Sequence, residues 1–222
     1  MRINKFVAVA SGISRRNADR AIQQSRVQVN GIKATIGQDV SRNDIVSLDN
    51  KVLLQPTASL TIALNKPLGF VCSRNGQGSP TIYDLLPENL QALKSIGRLD
   101  KNSSGLLLLT NDGQLANRLT HPSFLKKKVY KVLLNKPLSA EDIAKINRGI
   151  KVENYTSRLR FSNQSTPDTL KGREFVVSLT QGKNRQVRKT FATLGYVVKS
   201  LHRIQFAEYS IDGLESGKFK FV

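Results

Sequence analysis

Residues Gly97-Arg98-Leu99-Asp100-Lys101-Asn102-Ser103-Ser104-Gly105 form a polar run that holds one carboxylate, with an arginine two positions ahead of it. Leu106-Leu107-Leu108-Leu109-Thr110 follows at once, and Asn111-Asp112-Gly113 closes it. Consecutive leucines bounded by turn residues read as a buried strand. A strand anchored in that way can hold a reactive side chain rigidly at the rim of a sheet. A carboxylate so held can act as nucleophile or as base. The plain structural alternative is a charged loop ahead of a core strand.

Two other stretches carry candidate chemistry. In Leu179-Thr180-Gln181-Gly182-Lys183-Asn184-Arg185-Gln186-Val187-Arg188-Lys189 the cations cluster around a helix start. From there they can reach phosphates or a buried carboxylate, or simply form a solvated basic patch. Lys126-Lys127-Lys128-Val129-Tyr130-Lys131-Val132 sets an aromatic ring on a strand among cations, although most strand tyrosines are core or half-core residues. His121, in Leu119-Thr120-His121-Pro122-Ser123, reads as a hydrogen-bonded histidine beside a turn proline rather than as a general base.

The composition narrows the partner. Among 222 residues, 35 are Lys or Arg and 16 are Asp or Glu, a formal charge of +19. Such an excess suits a polyanion and steers association with it. A basic membrane-surface protein would need an amphipathic helix with a bulky aromatic face or a lipidation motif, and neither is present, so nucleic acid is favoured and a membrane is not expected. The single Cys72 excludes an internal disulfide and a cysteine-rich zinc site, and with only His121 and His202 besides, no metal is expected. Gly76-Gln77-Gly78 lacks the rest of a phosphate-binding loop. No apolar run reaches membrane-spanning length, and Met1-Arg2-Ile3-Asn4-Lys5 does not open a secretory signal, so a cytoplasmic setting is expected.

The elements that must position these residues fall into two parts. Ile3, Phe6, Val7 and Ala10 recur at helical spacing, with Gly12 as a stop. Ser14 can cap a second helix whose buried stripe is Ala18, Ala21 and Ile22, and whose other face carries Arg15, Arg16 and Arg20. Arginines at a helix N-terminal end oppose the macrodipole, which favours a phosphate-binding role over a merely solvated face. Val27-Gln28-Val29, an Asn30-Gly31 turn and Ile45 to Leu48 complete a small sheet. Residues 1–50 thus form a small α/β module, and 51–59, with Gln55-Pro56-Thr57-Ala58-Ser59, read as a linker.

Residues 60–222 alternate short strands and helices. Strands are expected at Leu60 to Leu64, Leu106 to Thr110, Val129 to Leu134, Phe175 to Thr180 and Val197 to Leu201. Helices are expected at Gln114 to Leu119, from Ser139 to near Gly149, and at Arg185 to Leu194, the last with Val187, Phe191 and Leu194 facing the core. The order is α+β, with a mixed, largely antiparallel sheet rather than a doubly wound one.

The run around Asp100 resembles the catalytic Asp motif of RNA pseudouridine synthases of the RsuA/RluB/RluF family, which modify ribosomal RNA. Gly182 to Arg188 is similar to the family's C-terminal motif, and Asn65-Lys66-Pro67-Leu68-Gly69 and Leu119 to Ser123 look like further family segments. Ser14-Arg15-Arg16, Val27 to Gly31 and Gly37-Gln38-Asp39 resemble the S-four RNA-binding module. Gly113 to Ser123 looks most like the RluB type, acting on large-subunit RNA, and Ser14 to Arg20 with Ala63 to Pro67 resembles the RluF type as well. Family members usually continue into a further acidic segment beyond the point where this chain stops.

The resemblance implies a catalytic role for Asp100, stacking of Tyr130 on the target base, and pairing of Arg188 with Asp100, with Arg185 as the next candidate for that pairing. It implies that Arg98 fills the space of the flipped base, and that Arg15, Arg16, Arg20, Lys183 and Arg185 contact RNA. It implies an isomerisation without cofactor, performed by a monomer on ribosomal RNA or a ribosome-assembly intermediate. A non-catalytic RNA-binding or assembly protein on the same fold is the alternative. A glycosidase using Asp100 with Asp112, or Asp84 with Glu88, ranks behind, because so basic a chain does not suit a neutral sugar.

Overall fold

A computed structural model describes residues 1–54, 59–162 and 172–222. The chain divides into two compact units, Met1–Ser59 and Leu60–Val222. Gln55 to Ala58, the middle of the expected linker, lie outside the described residues.

In the first unit, α1 (Ile3–Ser11) stops at Gly12, whose φ of 78° only glycine adopts without cost. Helix α2 (Arg15–Gln23) begins where Ser14 Oγ accepts the Asn17 amide at 3.1 Å. Strands β1 (Val27–Val29), β2 (Ile32–Lys33), β3 (Val46–Leu48) and β4 (Lys51–Val52) pair in the order β2-β1-β3-β4. Ile3, Phe6, Val7, Ala18, Ala21, Ile22, Val27 and Val46 pack into the core between helices and sheet. Strand β4 occupies positions read from the sequence as the start of a linker. Asp49 and Asn50 both take positive φ, 52° and 62°, so they close a hairpin without the glycine that usually signals one.

The second unit is built on one mixed sheet. Its strands are β5 (Thr61–Lys66), β6 (Lys94–Ile96), β7 (Ser104–Thr110), β8 (Lys128–Leu134), β11 (Arg160–Phe161), β12 (Glu174–Leu179), β13 (Val198–Phe206), β14 (Tyr209–Ser210) and β15 (Phe219–Phe221); a separate hairpin joins β9 (Ile150–Val152) to β10 (Tyr155–Ser157). The main path runs β11-β12-β8-β13-β7-β5-β15, and every pairing along it is antiparallel except β13 with β7. Leu106 and Leu108 feed one core, Leu107 and Leu109 the core on the opposite face. That double burial is why the strand reads as an unbroken apolar run rather than an alternating one.

Among the described residues, three α-helices pack against the sheet. Helix α3 (Gly113–Thr120) is capped by Asp112, α4 (Ala140–Arg148) runs from a Ser139 cap to Gly149, and α5 (Gln186–Ala192) buries Val187 and Phe191. Strand β13 runs past Leu201, the end expected from sequence: His202 to Phe206 continue the pairing with β8, and Arg203 is buried among them at 2% exposure. Strands β6, β9, β10, β11, β14 and β15 span two or three residues each, too few to show a period. Among the described residues no helix is long and apolar enough to cross a membrane.

Candidate active site

The loop that carries Asp100 is tied down from below by backbone bonds and side chains of β5, α5 and neighbouring loops. Gly69 N donates to Lys101 O at 2.9 Å, and Ser103 N donates to Asp100 O at 3.0 Å. The Cys72 thiol donates to Leu99 O at 3.3 Å and accepts from Leu99 N at 3.4 Å. Lys66, fully buried at the end of β5, donates Nζ to Ser103 O at 2.8 Å and to Pro67 O at 2.9 Å. The backbone on both sides of Asp100 therefore has little freedom, as a preorganised group needs.

Burial pulls the Lys66 ammonium below the ordinary lysine value, while Cys72 and Asp100 act in the opposite sense. Burial also pushes the Cys72 thiol up, while its bond with Leu99 and the Lys66 charge act in the opposite sense. In the sequence Lys66 stands out only within the family-like segment Asn65 to Gly69; the structure shows it closing a strand buried at every position.

Asp100 faces a cavity of about 650 Å³. Among the described residues it is the only carboxylate lining that space, against Arg98, Lys126, Lys128, Lys183, Arg185 and Arg203. Arg98 and Lys183 lie exposed along its wall. Tyr130, 8% exposed on β8, and Leu201 of the adjacent β13 supply apolar lining. Arg203, beside Tyr130 in the strand register, donates Nε to Leu106 O at 2.7 Å.

The cation on Asp100 is Arg185, not Arg188. Arg185 Nη1 lies 3.4 Å from Asp100 Oδ2, and both side chains keep partial solvent access. Arg188 instead donates to Val198 O at 2.8 Å and to Asn102 O at 2.5 Å, which places its guanidinium behind the loop. The reason is local: Arg185 sits in left-handed conformation ahead of α5 and reaches forward, whereas Arg188, one turn into the helix, faces β13. Burial lowers the Arg188 pKa first, Arg185 lowers it further, and Asp100 acts against both.

The remaining sequence candidates sort by their bonds. His121 Nδ1 pairs with Ser123 Oγ at 2.7 Å and accepts the Ser123 amide at 3.3 Å, a capping role on the cavity rim. Asp84 accepts from Thr81 N at 2.7 Å and Asp112, the cap of α3, from Gln114 N at 2.8 Å, while Glu88 is exposed; none of these three carboxylates of the glycosidase reading lines the cavity. Arg15, Arg16 and Arg20 are exposed on α2 of the first unit, and Arg15 Nη2 donates to Asn4 Oδ1 at 3.3 Å. No cluster of three or more His, Cys, Asp or Glu suited to a metal occurs among the described residues.

Residues 60–193, which include both Asp100 and Arg185, match the RNA pseudouridylate synthase family, and residues 1–46 match the S4 domain. The chain belongs to the RNA pseudouridylate synthase family. Among the family's members, the dual-specificity RNA pseudouridine synthase RluF of Escherichia coli is 33% identical over 223 residues, covering 99% of this chain and 74% of the relative. Ribosomal large subunit pseudouridine synthase B of Yersinia pestis is 33% identical over 226 residues, covering 97% of this chain and 70% of the relative. A crystal structure of a pseudouridylate synthase superposes with a TM-score of 0.70 at 31% identity, covering all of this chain and 96% of that one. The fold is therefore an S4 domain followed by a pseudouridine synthase fold.

Proposed function

We propose that this protein isomerises a uridine of ribosomal RNA to pseudouridine, with Asp100 as the reacting carboxylate. One observation carries the assignment of the residue: Asp100 is the sole carboxylate among the described residues lining a cavity of about 650 Å³ that is otherwise ringed by cations. In this isomerisation the bond from C1′ to N1 breaks and one from C1′ to C5 forms. The proton leaves C5 and N1 gains one, so atoms and electrons balance without a cofactor. A carboxylate serves by adding to the sugar or the base, or by removing a sugar proton. Arg185 places its guanidinium 3.4 Å from that carboxylate.

The target base must leave its stack, at a cost of a few kcal/mol. Tyr130 offers a stacking surface at the cavity wall, and Arg98 has the planar cation suited to the vacated space. Lys183, exposed on the cavity wall, and Arg15, Arg16 and Arg20 of the S4 domain supply phosphate contacts in this reading. Large-subunit RNA is the substrate class we favour, from the stated target of the Yersinia relative. In this reading the enzyme works as a monomer in the reducing cytoplasm, a setting that suits a lone half-buried cysteine.

Tritium release from RNA labelled at uridine C5 tests the reading. Asp100→Asn keeps the shape of the side chain but neither its charge nor its nucleophilicity, and should abolish release while RNA binding persists. Release at the wild-type rate would remove Asp100 from the mechanism.

A further inference from the structure

Gln186, the first residue of α5, is 4% exposed, and burying an amide is costly unless its hydrogen bonds are met. They are met closely here. Oε1 accepts from Lys183 N at 3.2 Å, and Nε2 donates to Ser157 Oγ at 3.1 Å and to Gln181 Oε1 at 3.3 Å. Ser157 and Thr190 are both fully buried, and their hydroxyls meet at 2.7 Å. Thr190 Oγ1 in turn donates to Gln186 O at 2.8 Å.

These bonds assign each other's direction. Thr190 spends its one proton on Gln186 O, so Ser157 must donate to Thr190. Ser157 Oγ then accepts from Gln186 Nε2, and the donors run one way around a closed ring through β10 and α5. The ring reaches forward by two bonds across one turn: Gln186 N donates to Lys183 O at 3.2 Å while Gln186 Oε1 takes the Lys183 amide. Arg185 lies inside that clamp at φ 50° and ψ 31°, a left-handed conformation unfavourable to a residue with a side chain. From there its guanidinium reaches Asp100.

We propose that Gln186 is a positioning residue of the active site: through its ring with Ser157 and Thr190 it imposes the backbone conformation that sets Arg185 on Asp100. The proposal rests on the reading of Asp100 and Arg185 as the reacting centre. Strain at a functional position persists only when surrounding bonds over-determine it, and the clamp is that over-determination. Ser157 does not line the cavity that Gln186 lines, so its loss acts on the chemistry only indirectly, through its bonds to Gln186 and Thr190.

Tritium release by the full chain, measured for saturating rate and KM on one RNA hairpin, tests this. Gln186→Met should cut the saturating rate by about 100-fold, the scale of a small misplacement of a catalytic group, and leave KM unchanged. Ser157→Ala should lower the same rate by less, and it carries the test alone if Gln186→Met does not fold. In an Arg185→Ala background neither change should cost anything further, because the guanidinium they position is gone. Losses that multiply with that of Arg185→Ala, or that fall on KM alone, would overturn the proposal. Wild-type release by Asp100→Asn would overturn the underlying site instead, and this proposal with it.

Discussion

Asp100 Oδ2 and Arg185 Nη1 meet at 3.4 Å although 85 positions separate them in the chain. The pair joins the loop ahead of the central strand β7 to the turn ahead of α5. Neither segment holds its partner by itself: Lys66, Cys72 and Arg188 fix one side, and the amide of Gln186 the other.

Two neighbouring arginines therefore have separable duties. Arg185→Ala removes the charge on the carboxylate from a half-exposed position, so it should reduce tritium release strongly and leave the melting temperature nearly unchanged. Arg188→Ala strips the donor from the carbonyl of buried Val198, which costs about 1–3 kcal/mol if it stays unpartnered, and unties the exposed Asn102 carbonyl of the Asp100 loop. That variant should lose both melting temperature and rate. A stable Arg188→Ala protein would show that its two carbonyls find other donors.

Most of this architecture was legible because its signals are local. Gly12, Ser14, Ser139 and Gly149 bound their helices where capping chemistry says they should, and the leucines of β7 announce burial on both faces. The polar interior was not legible. Lys66, Gln186 and Arg203 are charged or amidic, and a sequence pattern scores such residues as surface. Their burial depends on partners at Ser103, Ser157 and Leu106, supplied by other parts of the chain. The exchange of Arg188 for Arg185 has the same origin. Three residues apart on one basic stretch, the two are distinguished only by the left-handed turn at Arg185.

The S4 domain offers a test that does not depend on chemistry. Arg15, Arg16 and Arg20 are exposed on one helix, and among the described residues no carboxylate lies within 4 Å of their guanidinium groups. Each phosphate contact made by such a residue contributes roughly one unit to the slope of log affinity against log salt. Arg16→Ala and Arg20→Ala should each lower that slope by about one unit in titrations of ribosomal RNA fragments, with saturating rate preserved. Unchanged slopes would mean that these side chains are only solvated.

His202 gives the fold a defined response to acid. Its Nδ1 lies 2.8 Å from Ser104 Oγ, across the parallel pairing that joins β13 to the strand after the Asp100 loop. Burial lowers its pKa below the usual 6.5, and Lys131, opposite it on β8, lowers it further. The folded protein thus binds this proton less readily than the unfolded chain does. Stability on this account is complete above pH 6.5 and is lost as pH falls through the lowered folded value, because the unfolded chain then holds more protons. His202→Gln retains an acceptor for the Ser104 hydroxyl and removes the titration. Melting temperatures taken from pH 8 to about 5 should fall more steeply for the wild type than for the variant, with His121 and the carboxylates common to both. Parallel curves would show that the imidazole takes up its proton as easily in the folded protein as in the unfolded one, and that its burial carries no electrostatic cost.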